Sequence, residues 1–330
     1  MDYRFLGKTG VRVSTLALGT MTFGGEADEA ASAEIFAAAR DAGINLFDCA
    51  NVYQQGRSEQ VLGKLVANCR DQVVLTSKAY FPTGDDGNAR GTSRYHLVRS
   101  VEASLRRLGT DRIDLFFLHR FDEKTALEET LRAVEHLVTS GKVLYFGVSN
   151  FSAWQTAKAL GIAERFGWAP LVCTQPMYNL AKRQAEVEIL PLCEAEAIGA
   201  LTYSPLAGGL LTGKYLHDAT ASPARFRDSK MYQIRYEGAD YDQLAERFAR
   251  WCQEHGREPV ATAIAWVASH PAVTAPLLGA RTVAQLRPAL LAAAQPLTPA
   301  VRAEITSLSA APPPATDRSE ERTKHTFGQR

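Results

Sequence analysis

The sequence predicts an α/β fold, a (β/α)8 TIM barrel capped at one end by an N-terminal β-hairpin. Three observations carry this expectation. Eight short, largely apolar segments of strand length alternate with helical segments, the rhythm of a parallel sheet buried on both faces. Glycines such as Gly43 and Gly141 close several of the helical segments, as helix C-termini favour. The Gly-x-Gly-x-x-Gly turn that opens a doubly wound dinucleotide-binding sheet is missing after the first strand. The barrel is preferred over the doubly wound alternative.

Short apolar-bearing runs over 3–6 and 11–14, around the turn signal Lys8-Thr9-Gly10, predict the hairpin. A strand over 15–19 follows, then a helix over 29–42 stopped by Gly43. Strands over 44–47, 73–77 and 113–118 precede helices over 59–67, 93–108 and 127–140, the last stopped by Gly141. The second half repeats the alternation with strand 143–148, helix 153–166, strand 171–175, helix 188–197 and strand 200–204. Amphipathic helices over 240–255 and 260–268 lead to a last strand, 274–278, and a helix over 283–293. Residues 215–239 show no clear period, and a loop of that length in a compact domain is usually functional or mobile. Residues 311–330 are polar, with three prolines near their start. They read as a flexible C-terminal tail on a single domain spanning 1–330.

The 330 residues are 46% hydrophobic and 22% charged, an ordinary globular composition with enough chain for a large core. A formal net charge of +1 gives no reason to expect nucleic acid or an anionic membrane as partner. No apolar run approaches a membrane span, and the N-terminus lacks the apolar core of a signal peptide. Cys49, Cys69, Cys173, Cys193 and Cys252 form no CxxC pair, which argues against a zinc site or redox dithiol and for a reducing, cytoplasmic setting. With no heptad repeat, a monomer is the default expectation.

Asp48, Tyr53, Lys78 and His119 close or follow successive predicted strands. In such a barrel the active site lies at the C-terminal strand ends. An acid, a phenol, an amine and an imidazole gathered there are the parts of a proton relay. A free phenol titrates near about 10, and a nearby ammonium lowers that value by favouring the phenolate. Lys78 is placed to do this if Asp48 holds it charged, while His119 orients a substrate oxygen or shares the relay. Rim charges often pair only with one another, but four complementary groups at successive strand ends favour chemistry.

The run Asp48-Cys49-Ala50-Asn51-Val52-Tyr53, then Ser77-Lys78, then Leu118-His119, resembles the tetrad signature of the aldo-keto reductases. The likeness is to the bacterial long-chain type, related to the potassium channel β subunit-like reductases. It continues in order through residues 18–24 (LGTMTFG), Gly141-Lys142-Val143, residues 147–151 (GVSNF), Gln175, Tyr178-Asn179-Leu180 and residues 203–214 (YSPLAGGLLTGK). The resemblance implies an NADP(H)-dependent reductase of aldehydes or ketones. Tyr53 would be the general acid, tuned by Lys78 and Asp48, with His119 positioning the carbonyl. Thr20, Met21 and Asp48 would lie on the cofactor side. Ser149, Asn150 and Gln175 would hold the nicotinamide carboxamide, and Tyr203 would stack on the ring. Ser204, Pro205, Leu206, Ala207 and Lys214 would take the pyrophosphate, with Arg225, or Arg227 beside it, closing over it. Gly279 and Arg281 open the last helix, where a guanidinium suits an adenosine 2′-phosphate, and Gln285 would face the adenine.

Two departures stand out. The family commonly has glycine after the tyrosine, where this chain has Gln54 and Gln55 before Gly56. The Glu and Asn that usually hold the adenine are Pro288 and Ala289 here. Phe23 and Tyr80 are expected to line the substrate mouth, an aromatic rim that favours apolar or ring-bearing carbonyls. Two other functions compete. Potassium channel β subunits share the scaffold as nicotinamide-binding regulatory partners, but their tetrad histidine is altered and His119 is intact. A barrel hydrolase would need paired acids or a metal cluster at the strand ends, and neither is evident.

Overall fold

The structure, a computed structural model, describes residues 1–213 and 229–316. Eight parallel strands close into a barrel in the order β10-β3-β4-β5-β6-β7-β8-β9. They are β3 (Ala17–Gly19), β4 (Leu46–Asp48), β5 (Val74–Ala79), β6 (Ile113–Leu118), β7 (Val143–Ser149), β8 (Leu171–Gln175), β9 (Gly199–Thr202) and β10 (Ala275–Leu278). The antiparallel hairpin of β1 (Tyr3–Phe5) and β2 (Arg12–Ser14) precedes them. The barrel and its cap are therefore as the sequence predicts, with boundaries shifted by one or two residues.

The hairpin plugs the end of the barrel where the strands begin. Leu6 and Val13 are fully buried in one cluster with Leu46, Leu115, Phe117 and Leu201 from inside the barrel. Gly7 lies so close to the opposite strands, at φ 55°, that a Cβ there would sit 2.8 Å from the Val172 carbonyl oxygen. Only glycine meets both demands. With this end sealed, the open mouth is at the other, where the strands finish.

The helices pack outside the strands, and their starts are chemically marked. Asp28 accepts from the Ala31 amide ahead of the helix Glu29–Asp41, and Ser152 forms a reciprocal capping box with Gln155 ahead of Ala153–Phe166. Burial of one apolar face of each helix against the strands supplies the larger driving force, since helices of this length are marginal alone.

Among the described residues, two α-helices lie outside the expected pattern. Lys230–Arg235 sits within the aperiodic stretch, and Pro299–Ser307 follows the last predicted helix. Pro299–Ser307 buries only Ile305, so it leaves little apolar period to read, although Thr298 caps it and Pro299 opens it. The predicted helix over 283–293 is α-helical over Val283–Leu290 and tightens to a 3-10 turn over Leu291–Ala294, just after Pro288. Proline removes one amide from the helical ladder there. Of the predicted tail, residues 311–316 form no helix or strand; 317–330 lie outside the described residues. No described helix is long and apolar enough to cross a membrane.

Candidate active site

Asp48, Lys78, His119, Ser149 and Gln175 all sit at or just beyond the C-terminal ends of strands β4 to β8. Asp48 is the register partner of Thr76 on β5, and Lys78 lies two residues further on the same strand face. Both reach the same carboxylate. Thr76 Oγ1 donates to Asp48 Oδ1 at 2.7 Å, and Lys78 Nζ donates to Asp48 Oδ2 at 2.5 Å. Lys78 is wholly buried and also donates to the Cys49 carbonyl at 2.8 Å. Its third neighbour is the Tyr53 hydroxyl at 3.4 Å.

Tyr53 enters through a tight turn, 53–56, between β4 and the helix Arg57–Val66. Its phenol is held well above its ordinary value, first by burial and second by the Asp48 charge. This reverses the expectation that the ammonium lowers it. Asp48 neutralises Lys78, so the pair presents little net charge to the phenol, and desolvation decides. His119 is pushed down to about 3 by burial and by the Lys78 charge, and is a neutral imidazole at ordinary pH. Its Nδ1 is buried without a partner among the described residues, and the residue lines the cleft. Cys49 points away from this chemistry. It is buried against Ser58 at 3.2 Å, and its thiol is pushed up to about 12 by burial, so it is a core thiol.

A second set of hydrogen bonds joins the tetrad to the neighbouring strand ends. Gln175 Nε2 donates to Asp48 Oδ1 at 2.9 Å, and Ser149 Oγ donates to the Gln175 carbonyl at 2.9 Å. Asn150, at φ 56°, donates to the His119 carbonyl and accepts from the Tyr203 hydroxyl at 2.7 Å.

Asp48, Tyr53, His119, Ser149, Asn150, Gln175 and Tyr203 line a cleft of about 1150 Å³. Met21, Ser204, Pro205, Leu206, Gly279, Arg281 and Gln285 line it as well. Ser204, Ala207, Gly208 and Gly209 all have positive φ, and the Ala207 and Gly209 amides close the loop on the Ser204 and Leu206 carbonyls. Pro288 and Ala289 are also in the lining, and neither offers a side-chain hydrogen bond. With Arg120, Arg235 and Arg281 in its lining, the cleft fits an elongated phosphate-bearing ligand.

The family model described as "Aldo/keto reductase family" matches residues 15–310, which span every barrel strand and the whole cleft. The chain belongs to the aldo/keto reductase family. It is 41% identical over 298 residues to the "Uncharacterized oxidoreductase YrpG" of Bacillus subtilis (strain 168), covering 87% of this chain and 89% of the relative. It is 37% identical over 294 residues to a "Probable voltage-gated potassium channel subunit beta" of Arabidopsis thaliana, with the same coverage. A protein of that description from Oryza sativa subsp. japonica is 36% identical over 294 residues, covering 85% of this chain and 87% of the relative.

Not every residue expected at this aldo/keto reductase site reaches the cleft. Phe23 is fully buried in the core, so it does not line the mouth. The 20–23 turn, closed by the Phe23 amide on the Thr20 carbonyl, sends Met21 to the cleft and Phe23 inward. Tyr80 likewise gives way to Phe81, whose ring stands edge-on to His119 at 4.9 Å while Tyr80 packs behind it. Both corrections reflect how sharply a side chain's face changes from one residue to the next. Thr20 is buried and hydrogen-bonded to the Asp48 carbonyl and Ser58, and Ala207 is buried beneath the cleft loop. Lys214, Arg225 and Arg227 lie outside the described residues.

Sequence reasoning missed further contributors besides Phe81. Arg120, immediately after His119, lines the cleft, as do Tyr232 and Arg235 from the helix Lys230–Arg235. Only the position of Arg120 beside His119 gave a signal.

Proposed function

We propose that this protein reduces an aldehyde or ketone to the alcohol with NADPH, Tyr53 acting as general acid. The observation that carries the reading is the Tyr53 hydroxyl, held protonated at the cleft and 3.4 Å from Lys78, which is itself paired with Asp48. Reduced nicotinamide, when bound, supplies the hydride to the carbonyl carbon. Tyr53 supplies the proton: its O–H bond breaks as the new O–H bond of the alcohol forms. Lys78 then faces the phenolate, and its attraction is greatest once that charge develops. Neutral His119 donates a hydrogen bond to the carbonyl oxygen and fixes its direction toward Tyr53. Ser149, Asn150 and Gln175 would orient the carboxamide, Tyr203 would hold the ring, and the 204–209 loop would take the pyrophosphate.

Arg281 in the lining of the cleft supports NADP over NAD, because a guanidinium recognises a 2′-phosphate. Phe81 and Tyr232 favour apolar or ring-bearing carbonyls. Five free cysteines agree with a reducing, cytoplasmic setting.

The two plant relatives favour a second reading, a nicotinamide-binding partner of a channel protein. NADPH oxidation with a panel of aldehydes and ketones separates the two. Turnover of at least one carbonyl is expected, and a folded, nucleotide-binding protein inert to the whole panel would favour the partner role.

A further inference from the structure

Arg281 is already engaged. Its Nη2 lies 2.8 Å from Glu26 Oε1, and the two side chains are about a quarter and a half exposed. Glu26 comes from the loop after β3, Arg281 from the loop after β10, and the two loops are tied to each other. Thr22 Oγ1 donates to the Ala280 carbonyl at 2.7 Å.

The Glu26 loop is itself closed. The Gly24 amide donates to the Ala27 carbonyl, and the amides of Gly25 and Ala27 donate to the Thr22 carbonyl. Gly25 packs under Gln54, whose side chain a Cβ would meet at 2.3 Å. On the other side, the Arg281 amide donates to Gln285 Oε1 at 3.0 Å, so the arginine backbone is fixed too. The neighbouring acid, Asp28, is committed to its helix cap. Glu26 is therefore the carboxylate that the fold holds against the cleft arginine.

We infer that Glu26 is a specificity-determining residue for the cofactor, lowering the preference for NADPH over NADH by competing for Arg281. This rests on the nicotinamide-dependent reading above. A 2′-phosphate approaching Arg281 must displace the Glu26 carboxylate or share the guanidinium with it, and sharing places like charges side by side. A 2′-hydroxyl carries no charge and meets no such conflict. It can also donate a hydrogen bond to a carboxylate. Gln285 reinforces the effect, because its side-chain oxygen is spent on the Arg281 amide.

The test is equilibrium titration of NADPH and NADH against the nucleotide-free protein, read by quenching of tryptophan fluorescence with no carbonyl present. An exposed ion pair sets the scale, and Glu26→Gln should raise the ratio of NADPH to NADH affinity by about fivefold. In an Arg281→Ala background the same substitution should leave the ratio unchanged within about twofold. An unchanged ratio in Glu26→Gln alone would overturn the inference, as would an equal rise in both backgrounds. Wild-type protein that binds neither nucleotide would instead remove the reading on which the inference rests, and the titration of that protein alone reveals it.

Discussion

Gln175 Nε2 lies 2.9 Å from Asp48 Oδ1, so the glutamine proposed to hold the carboxamide is also a hydrogen-bond partner of the acid that pairs with Lys78. In the proposed mechanism, cofactor orientation and proton delivery thus share a carboxylate. Gln175→Leu should cost about 1 kcal/mol of stability and lower nucleotide affinity and turnover together. Asn150→Ala, whose side chain touches neither Asp48 nor Lys78, should lower affinity more than turnover. Titration and single-turnover kinetics on the two variants check this. Equal splits would show that the Gln175–Asp48 bond carries no coupling.

Tyr53→Phe removes only the hydroxyl and leaves the ring in the cleft wall. Carbonyl reduction should fall by about 100-fold or more, the usual contribution of a positioned acid. NADPH affinity should stay within about twofold, because the contacts proposed for the nucleotide lie elsewhere. Normal reduction by this variant would refute the proton-donor assignment.

The strand ends were legible because a buried parallel strand is a continuous apolar run, and a polar residue at its close stands out in the sequence. Asp48, Lys78 and His119 are of that kind. Faces were less legible. Phe23 and Tyr80 were each placed at the mouth, and a turn or a one-residue change of face put Met21 and Phe81 there instead. The Glu26–Arg281 pair was illegible for another reason. Its partners come from opposite ends of the chain and meet only because β3 and β10 are neighbours in the closed barrel.

The pH dependence follows from His119 and Tyr53. With His119 near 3 and Tyr53 raised, neither changes charge in the working range, so reduction should be flat between about pH 5 and 8. An inflection near about 6.5 would show that His119 titrates as an ordinary histidine.

Stability should respond to the same histidine. Below about 6.5 the unfolded chain binds a proton that the native state refuses, so acidification favours unfolding until the folded value near 3 is reached. Between pH 7 and 5 this group should remove about 2 kcal/mol of stability. His96 and His270, both lowered by burial, act in the same direction. Urea unfolding at the two pH values should show the loss, and His119→Gln should reduce it by a comparable amount.

Lys78→Met leaves Asp48 buried and without its cation. Breaking a buried pair in this way should cost about 3–5 kcal/mol, because the remaining charge is desolvated and unpaired. Asp48→Asn in the same chain removes that charge and should restore part of the loss. Denaturant unfolding of the two single variants and the double variant gives the coupling, and purely additive losses would show that the pair contributes nothing beyond its separate contacts.

The turn after Tyr53 puts Gln54 and Gln55 in the left-handed region, at φ 49° and 57°, ahead of Gly56 at 88°. This is the stretch where the family commonly places glycine. A left-handed non-glycine residue costs about 1–2 kcal/mol. Glycine relieves it but loses about 0.5–1 kcal/mol through the freedom of the unfolded chain. Gln55 is exposed, so Gln55→Gly should gain about 0.5 kcal/mol. Gln54 differs: its Nε2 donates to the Met21 carbonyl at 3.0 Å and its side chain covers Gly25. Gln54→Gly should forfeit that bond and lose the gain, leaving stability unchanged or lower. Thermal melts of the two variants should therefore move apart, and a larger gain at 54 than at 55 would show that the bond to Met21 does not hold the turn.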